Sequence, residues 1–292
     1  MSHRIFAILF LLFSSQGITS CNSENPKTPL DTLLPTVELR PDFKALYDSF
    51  HVSGCFILFD PQQNKYSIYN DSLVDVGFTP ASTFKICNSL IGLETGVIKD
   101  ENFVLPWDKV IRKNENWNYD QDLKTAIKNS TVWYYQVLAR RVGGEAMKHW
   151  LDTLNYGNRD TSGGIDQFWL RGGLKITPRQ QIEFVQKLYN RTLPMSQRSM
   201  DIVNQILFVN DTLGYALYAK TGWGFQDNTD IGWYVGYAKT KNGIYYFANL
   251  VLCDDLNNPD FARARVEVVR GVMGQRENER ENERESDKAI RE

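Results

Sequence analysis

Apolar residues recur with three different rhythms along this chain, and each rhythm predicts a different element. A continuous run, Cys55-Phe56-Ile57-Leu58-Phe59, closes in Asp60-Pro61 and reads as a buried strand entering a turn. Lys65-Tyr66-Ser67-Ile68 alternates polar and apolar before Tyr69, as a returning strand would. From Ser82 or Thr83 to Gly96 the period lengthens, with Phe84, Cys87, Leu90 and Ile91 along one side of a helix. Residues 97 to 170 are mixed, with helices predicted from Asp122 and from Val132 to Val142. Thr177-Pro178 suits a helix start, because Thr can cap and Pro fits the first turn. Ile182, Val185, Leu188 and Tyr189 then form an apolar stripe.

After about residue 205 the strand rhythm returns. Leu213–Lys220, Ile231–Ala238 and Ile244–Leu252 are predicted strands, the last two joined by the hairpin signal Lys241-Asn242-Gly243. A last helix is expected from Asp260 to Met273. Strands thus sit at both ends of the chain and helices in the middle. That order predicts an α+β fold: one antiparallel sheet from about 50–70 and 213–252, flanked by helices, with a helical lobe at about 97–205. The cleft then falls between sheet and lobe.

The flanks differ from this body. Arg4 precedes the apolar run Ile5–Phe13, which is too short to span a bilayer as a mature helix, so residues 1–21 read as an export signal. Ile18-Thr19-Ser20-Cys21 reads as a lipobox with a lipid anchor on Cys21. The alternative is ordinary cleavage after a small residue. Residues 22–34 fit a tether and 35–274 a catalytic domain. The expected location is the periplasm, with anchoring at the outer membrane if Cys21 is lipidated. In the tail, 275–292, Arg276, Arg280, Arg284 and Lys288 recur every fourth residue beside Glu277, Glu281 and Glu285. That spacing allows ion pairs but gives no apolar face, so disorder is expected, with a frayed extension of the last helix as the alternative.

Composition narrows the function. The 292 residues are 42% hydrophobic and 23% charged with a net charge of -2, so no basic field points to nucleic acid. Three histidines argue against a histidine-rich metal site, and no metal is expected. Cys55, Cys87 and Cys253 lie in apolar runs and read as small buried hydrophobes.

The chemistry is carried by Ser82-Thr83-Phe84-Lys85 and, far downstream, Lys220-Thr221-Gly222, with Ser130-Thr131-Val132 between them. Three residues along a helix bring Ser82 and Lys85 onto one face. S-x-x-K followed by K-T-G is the signature of acyl-serine enzymes that react with penicillins. A serine hydroxyl needs a base, and a lysine at its ordinary pKa of about 10.4 is charged and cannot serve. Burial among apolar side chains would neutralise it. A neutral amine can also take up carbon dioxide to give a carbamate, an anion with two acceptor oxygens.

From about Phe56 to Met273 the chain resembles the class D, or oxacillinase-type, beta-lactamases. The resemblance rests on Pro80-Ala81-Ser82-Thr83-Phe84-Lys85, Ser130-Thr131-Val132, Tyr156-Gly157-Asn158, Asp166-Gln167-Phe168-Trp169-Leu170 and Lys220-Thr221-Gly222, in the family's order. It implies hydrolysis of the β-lactam ring through an acyl group on Ser82. It also implies a carboxylated Lys85 as general base, with no cofactor beyond that carbon dioxide. Trp169 would donate its indole N–H to the carbamate, and Val132, Phe84 and Leu170 would keep the surroundings dry. Ser130 would relay a proton to the lactam nitrogen. The backbone N–H groups of Ser82 and Trp223 would form the oxyanion hole.

A β-lactam also brings a carboxylate, for which Lys220, Thr221 and an arginine at the start of the last helix are the expected seat. The arginine is what the resemblance implies: in the family it is followed by apolar residues three, seven and eight places on, and of Arg263, Arg265 and Arg270 it is Arg265, with Val268, Val272 and Met273, that fits. Gly222 belongs to the same strand. Trp223 reads equally as a substrate-facing wall or as core, and Tyr156-Gly157-Asn158 as a turn that shapes the cleft. Bulky Trp133-Tyr134-Tyr135 and Trp223-Gly224 are expected to alter access for large substrate side chains.

Three rivals share parts of this pattern. A penicillin sensor or a cell-wall transpeptidase or carboxypeptidase would acylate and deacylate slowly. Sensors carry a long membrane-embedded part, which this sequence does not show. A non-catalytic cell-wall-binding lipoprotein would not need Ser82, Lys85 and Ser130 together. For assembly, a monomer and a homodimer both fit.

Overall fold

The computed structural model describes residues 34–210 and 214–291. The export signal, Cys21 and nearly all of the 22–34 tether lie outside the described residues. In chain order the elements are β1 (Thr36–Leu39), α1 (Lys44–Asp48), β2 (Ser53–Asp60), β3 (Lys65–Tyr69), α2 (Lys85–Glu94), α3 (Leu123–Lys128), α4 (Val132–Val142), α5 (Gly144–Leu154), α6 (Pro178–Tyr189), α7 (Gln197–Ile206), β4 (Phe208–Asn210), β5 (Tyr215–Gln226), β6 (Thr229–Thr240), β7 (Gly243–Cys253) and α8 (Phe261–Arg291). A 3-10 turn, Ala81–Phe84, leads directly into α2.

The seven described strands form one sheet in the order β1-β3-β2-β7-β6-β5-β4. Strands from both chain ends meet where β2 pairs antiparallel with β7, Phe56 opposite Asn249. The sheet is antiparallel throughout except at its edge, where β1 runs parallel to β3. Helices cover both faces. On β6, Ile231, Trp233, Val235 and Tyr237 face a large core shared with α2, α4 and α6, while Tyr234 and Ala238 face a second core under α1 and α8. A strand buried on both faces loses its polar alternation, which explains the near-continuous apolar runs of β2, β6 and β7.

Local chemistry sets several boundaries. Thr177 caps α6 and Gln180 returns the bond, with Pro178 in the first turn, which completes a capping box. The β5–β6 hairpin turns on Asp227 and Asn228, whose φ values of 52° and 63° give the double left-handed turn that matches strand twist. Helices α5 and α7 also form. Met147, Leu151 and Leu154 are buried on α5, and Met200 and Val203 on α7, which Ser196 caps.

The charged tail departs from the expected disorder. Helix α8 continues to Arg291, and Arg276 is only 3% exposed. Its guanidinium donates to Asp60 Oδ2 at 2.9 Å and to Gln63 Oε1 at 2.6 Å, and Arg280 reaches the same Asp60. The four-residue spacing puts both arginines on one helix face, and an acid at the end of β2 supplies what an apolar stripe would otherwise supply. No helix among the described residues is long and apolar enough to cross a membrane.

Candidate active site

The site is built where the Ser82 turn, β5 and the loop that follows α5 converge. Strand β5 packs directly against the turn. A Cβ at Gly222 would stand 3.1 Å from the Pro80 carbonyl and 3.2 Å from Thr83 Cγ2, so a side chain there would push the two apart. Immediately before Ser82, buried Ala81 has φ of 48°, a left-handed conformation uncommon outside glycine. It is held by its N–H, which donates to the Trp169 carbonyl at 3.0 Å, and the Pro80 carbonyl accepts from Thr83 Oγ1 at 2.7 Å. Strained backbone of this kind persists where its surroundings over-determine it.

Lys85 is fully buried, 0% exposed, and its Nζ lies 2.7 Å from Ser82 Oγ. Aromatic side chains lie around it. The Tyr135 ring centre is 5.4 Å away, and Phe84 packs against Phe168 and Trp169 with ring centres 5.1 and 5.3 Å apart. Burial pushes the Lys85 ammonium well below its ordinary pKa, and the nearby charge of Lys220 adds to that shift. Trp169 is 1% exposed, and its indole N–H has no hydrogen-bond partner among the described residues. A buried donor left unpaired costs free energy, so this N–H is suited to an acceptor the polypeptide does not provide.

Val132 and Leu170 are half-buried, and Leu170 packs against the large core. Ser130 lies in the turn between α3 and α4 with φ of 54°, its N–H donating to Ile127 at 3.2 Å. Two residues earlier, Lys128 lines a cavity of about 290 Å³ together with Lys220 and Thr221, so this turn faces the K-T-G strand.

The second cationic group is Lys220, also buried, whose Nζ donates to the Thr221 carbonyl at 2.9 Å. Burial, with help from Arg265, pulls its pKa down to about 7. Arg265 itself is drawn down to about 10 by burial, partly offset by Asp230. Its Nη1 donates to the Gly222 carbonyl at 2.8 Å, and its guanidinium lies 5.1 Å from the Trp223 ring. Gly232 opposite makes the room, since a Cβ there would stand 2.8 Å from Arg265 Cγ. Arg263 points elsewhere, pairing with Asp260 at 3.1 Å and lying over Phe50. Arg270 pairs with Glu267.

Trp223 is 50% exposed, with its N–H bonded to Asp230 at 2.8 Å, and so is not core. Trp133, Tyr134 and Tyr135 are all buried, which corrects the expectation that this triplet controls access. The Trp133 N–H is spent on the Trp117 carbonyl at 2.8 Å, inside the helical lobe.

The Tyr156-Gly157-Asn158 segment forms the turn expected of it. Gly157 has φ of 54°, and a Cβ there would stand 2.1 Å from the Lys175 carbonyl. Asn158 bonds the backbone of both Gly173 and Lys175. The Tyr156-Gly157-Asn158 turn thus clasps the far end of the loop that carries Trp169. Nothing in the sequence around Ala81 signals its conformation.

Residues 54–273 match the penicillin binding protein transpeptidase domain family. A probable beta-lactamase, YbxI, from Bacillus subtilis is 46% identical over 251 residues, covering 86% of this chain and 91% of its own. A class D beta-lactamase YbXI from Nostoc, solved as a crystal structure, is 42% identical with a TM-score of 0.74, covering 78% of this chain and 95% of its own. The C-terminal domain of the Bacillus licheniformis penicillin receptor BlaR is 31% identical with a TM-score of 0.76, covering 83% and 97%.

Proposed function

The chain belongs to the class D beta-lactamases, within the penicillin-binding transpeptidase family, and on that premise we propose that it opens penicillins and related β-lactams by acylation of Ser82 and hydrolysis of the resulting ester, with Lys85 carboxylated. The observation that carries this reading is the dry pairing of Ser82 and Lys85 at 2.7 Å beside the unpartnered N–H of Trp169. A buried lysine without a carboxylate partner is held neutral, which is the form that adds carbon dioxide and releases a proton. The orphaned Trp169 donor and the aromatic surround fit the carbamate that results. When present, the carbamate supplies an anionic base in place of an amine. Trp169 would hold it by a charge-assisted hydrogen bond.

Ser82 attacks the lactam carbonyl. The N–H groups of Ser82 and Trp223 would receive the developing oxyanion, commonly the largest electrostatic contribution in such reactions. Ser130 would pass a proton to the lactam nitrogen as the C–N bond breaks. Lys220, Thr221 and Arg265 would seat the substrate carboxylate. They are buried or half-buried cationic and hydroxyl groups held close together, and an anion there relieves their repulsion.

The test mixes the purified protein with a chromogenic cephalosporin and a penicillin, with and without bicarbonate, and follows turnover and intact mass. Many turnovers, stimulated by bicarbonate, support the reading. One stable adduct would favour a sensor, for which the likeness to the BlaR domain is the specific support. Ser82→Ala should lose both turnover and adduct, and an adduct mapped to another residue would overturn Ser82 as nucleophile. Export and lipid attachment at Cys21 are part of the same proposal, supported by Arg4, the apolar run Ile5–Phe13 and Ile18-Thr19-Ser20-Cys21. Metabolic labelling with a fatty acid, compared with Cys21→Ser, checks it.

A further inference from the structure

We propose that Lys175 is a positioning residue of this enzyme: through Thr79 and Gln226 its ammonium ties the Ser82 turn to the K-T-G strand and to the loop carrying Trp169. This rests on the hydrolytic reading above. Lys175 Nζ donates to Thr79 Oγ1 at 2.8 Å and to Gln226 Oε1 at 2.7 Å. Thr79 stands three residues before Ser82, and Gln226 is the last residue of β5, the strand of Lys220 and Thr221. The same Gln226 oxygen also accepts from the Thr79 N–H and hydroxyl, both at 3.2 Å. The Thr79 carbonyl accepts from Trp233 Nε1 at 2.9 Å, so every polar group of Thr79 is engaged.

Lys175 is equally fixed at its other end. Its backbone N–H donates to Asn158 Oδ1 at 3.0 Å, and its carbonyl accepts from the Asn158 N–H at 2.9 Å. The next residue, Ile176, exchanges backbone bonds with Phe78 at 2.9 and 3.0 Å. Three segments that must keep register during catalysis therefore meet at one ammonium, which forms no ion pair with a carboxylate among the described residues, although the charge of Asp227 acts on it from further off. Its hydrogen bonds go to neutral oxygens from two other segments, so its placement depends on both. The left-handed Ala81 sits two residues beyond Thr79, and its own anchor is the Trp169 carbonyl. Slack at Thr79 would thus reach both Ser82 and Trp169.

The experiment measures steady-state kinetics, the bicarbonate concentration for half-maximal rate, and melting temperature for wild type, Lys175→Met, Lys175→Arg and Gln226→Met. Loss of the two charge-assisted bonds is expected to lower kcat by about ten- to a hundredfold, with a smaller change in KM. The bicarbonate requirement should rise, because Trp169 is less well placed. Lys175→Arg should recover part of both. If Lys175→Met does not fold, Gln226→Met removes the shared acceptor while keeping the lysine and gives the same readings. Wild-type kcat and bicarbonate requirement in Lys175→Met or Gln226→Met, with only a lower melting temperature, would overturn the inference. A wild-type protein that does not turn over β-lactams would instead remove the hydrolytic reading, and this inference with it.

Discussion

Two regions of this molecule bury a cation, and they treat it in opposite ways. At the far end of α8, Arg276 is 3% exposed against Asp60 at 2%, and its two terminal nitrogens also donate to Gln63 and Glu279. Burial alone would depress its pKa, but the bonds to Asp60 and Glu279 outweigh that and raise it, so it stays charged. At the active site, Lys85 is buried just as fully with a serine hydroxyl for a partner and another cation nearby, and it is driven toward the neutral amine. The first arrangement answers a charge and builds a joint between helix and sheet. The second leaves a charge unanswered and so makes a nucleophilic, carbon-dioxide-reactive group. An unsatisfied buried group is the more informative signal of function.

The largest expected effect is on Lys85. Lys85→Met should lower turnover by a factor on the order of a thousand or more, as when one member of a catalytic unit is lost. Its stability should match or exceed that of wild type, since it removes a penalised group rather than half of an ion pair. A marked drop in melting temperature would break the contrast.

Asp60→Ala tests the other region. It strands Arg276 without its principal acid and should cost about 3–5 kcal/mol of stability, read by chemical denaturation. Turnover by the folded fraction should stay near wild type.

Within the site, Trp169→Phe keeps the aromatic packing and deletes the unpartnered donor. A charge-assisted hydrogen bond is worth about 1.5–3 kcal/mol. Deacylation should slow accordingly, giving a burst of product followed by a stall. Unchanged turnover and bicarbonate dependence would show that Trp169 only packs.

A smaller effect separates the two arginines. Arg265→Ala should raise the penicillin KM by about tenfold, while Arg263→Ala, whose side chain faces Asp260 and Phe50, should not. Arg265→Lys should recover only part of the loss, because a point charge does not replace a two-pronged donor.

The smallest effect is a pH profile of stability. Lys220 is lowered from 10.5 to about 7, so between those values the unfolded chain binds more protons than the folded one. Wild-type stability therefore rises with pH across that window. Lys220→Met, which lacks the titration, should gain most over wild type at pH 7 and below, and the gain should shrink toward pH 10.5. A difference constant with pH would mean that Lys220 keeps its charge when folded.

Much of this was legible in the sequence, and for local reasons. Apolar rhythm, the Thr177-Pro178 start and the Ser82 to Lys85 spacing are properties of a few consecutive residues. They identified the α+β order, helices α2, α4 and α6, strands β2, β3, β6 and β7, and the acyl-serine motifs. The β5–β6 turn and the Ser196 cap of α7 also carry local signals, in Asp227-Asn228 and in the serine followed by apolar spacing.

Other features depend on segments far apart in the chain. The tail forms a helix because Asp60, 216 residues earlier, receives Arg276, and no periodicity within the tail encodes that acid. Trp133-Tyr134-Tyr135 reads as bulk near a catalytic serine, and only packing decides that it faces inward. The left-handed Ala81, the clasp of Asn158 and the convergence on Lys175 arise from contacts between loops. The sequence by itself determined which chemical groups this protein carries and the period of the elements that bear them, because both follow from neighbouring residues. Tertiary structure decided which charges are answered and which are left bare, because burial and partnership are set by what the rest of the chain brings alongside.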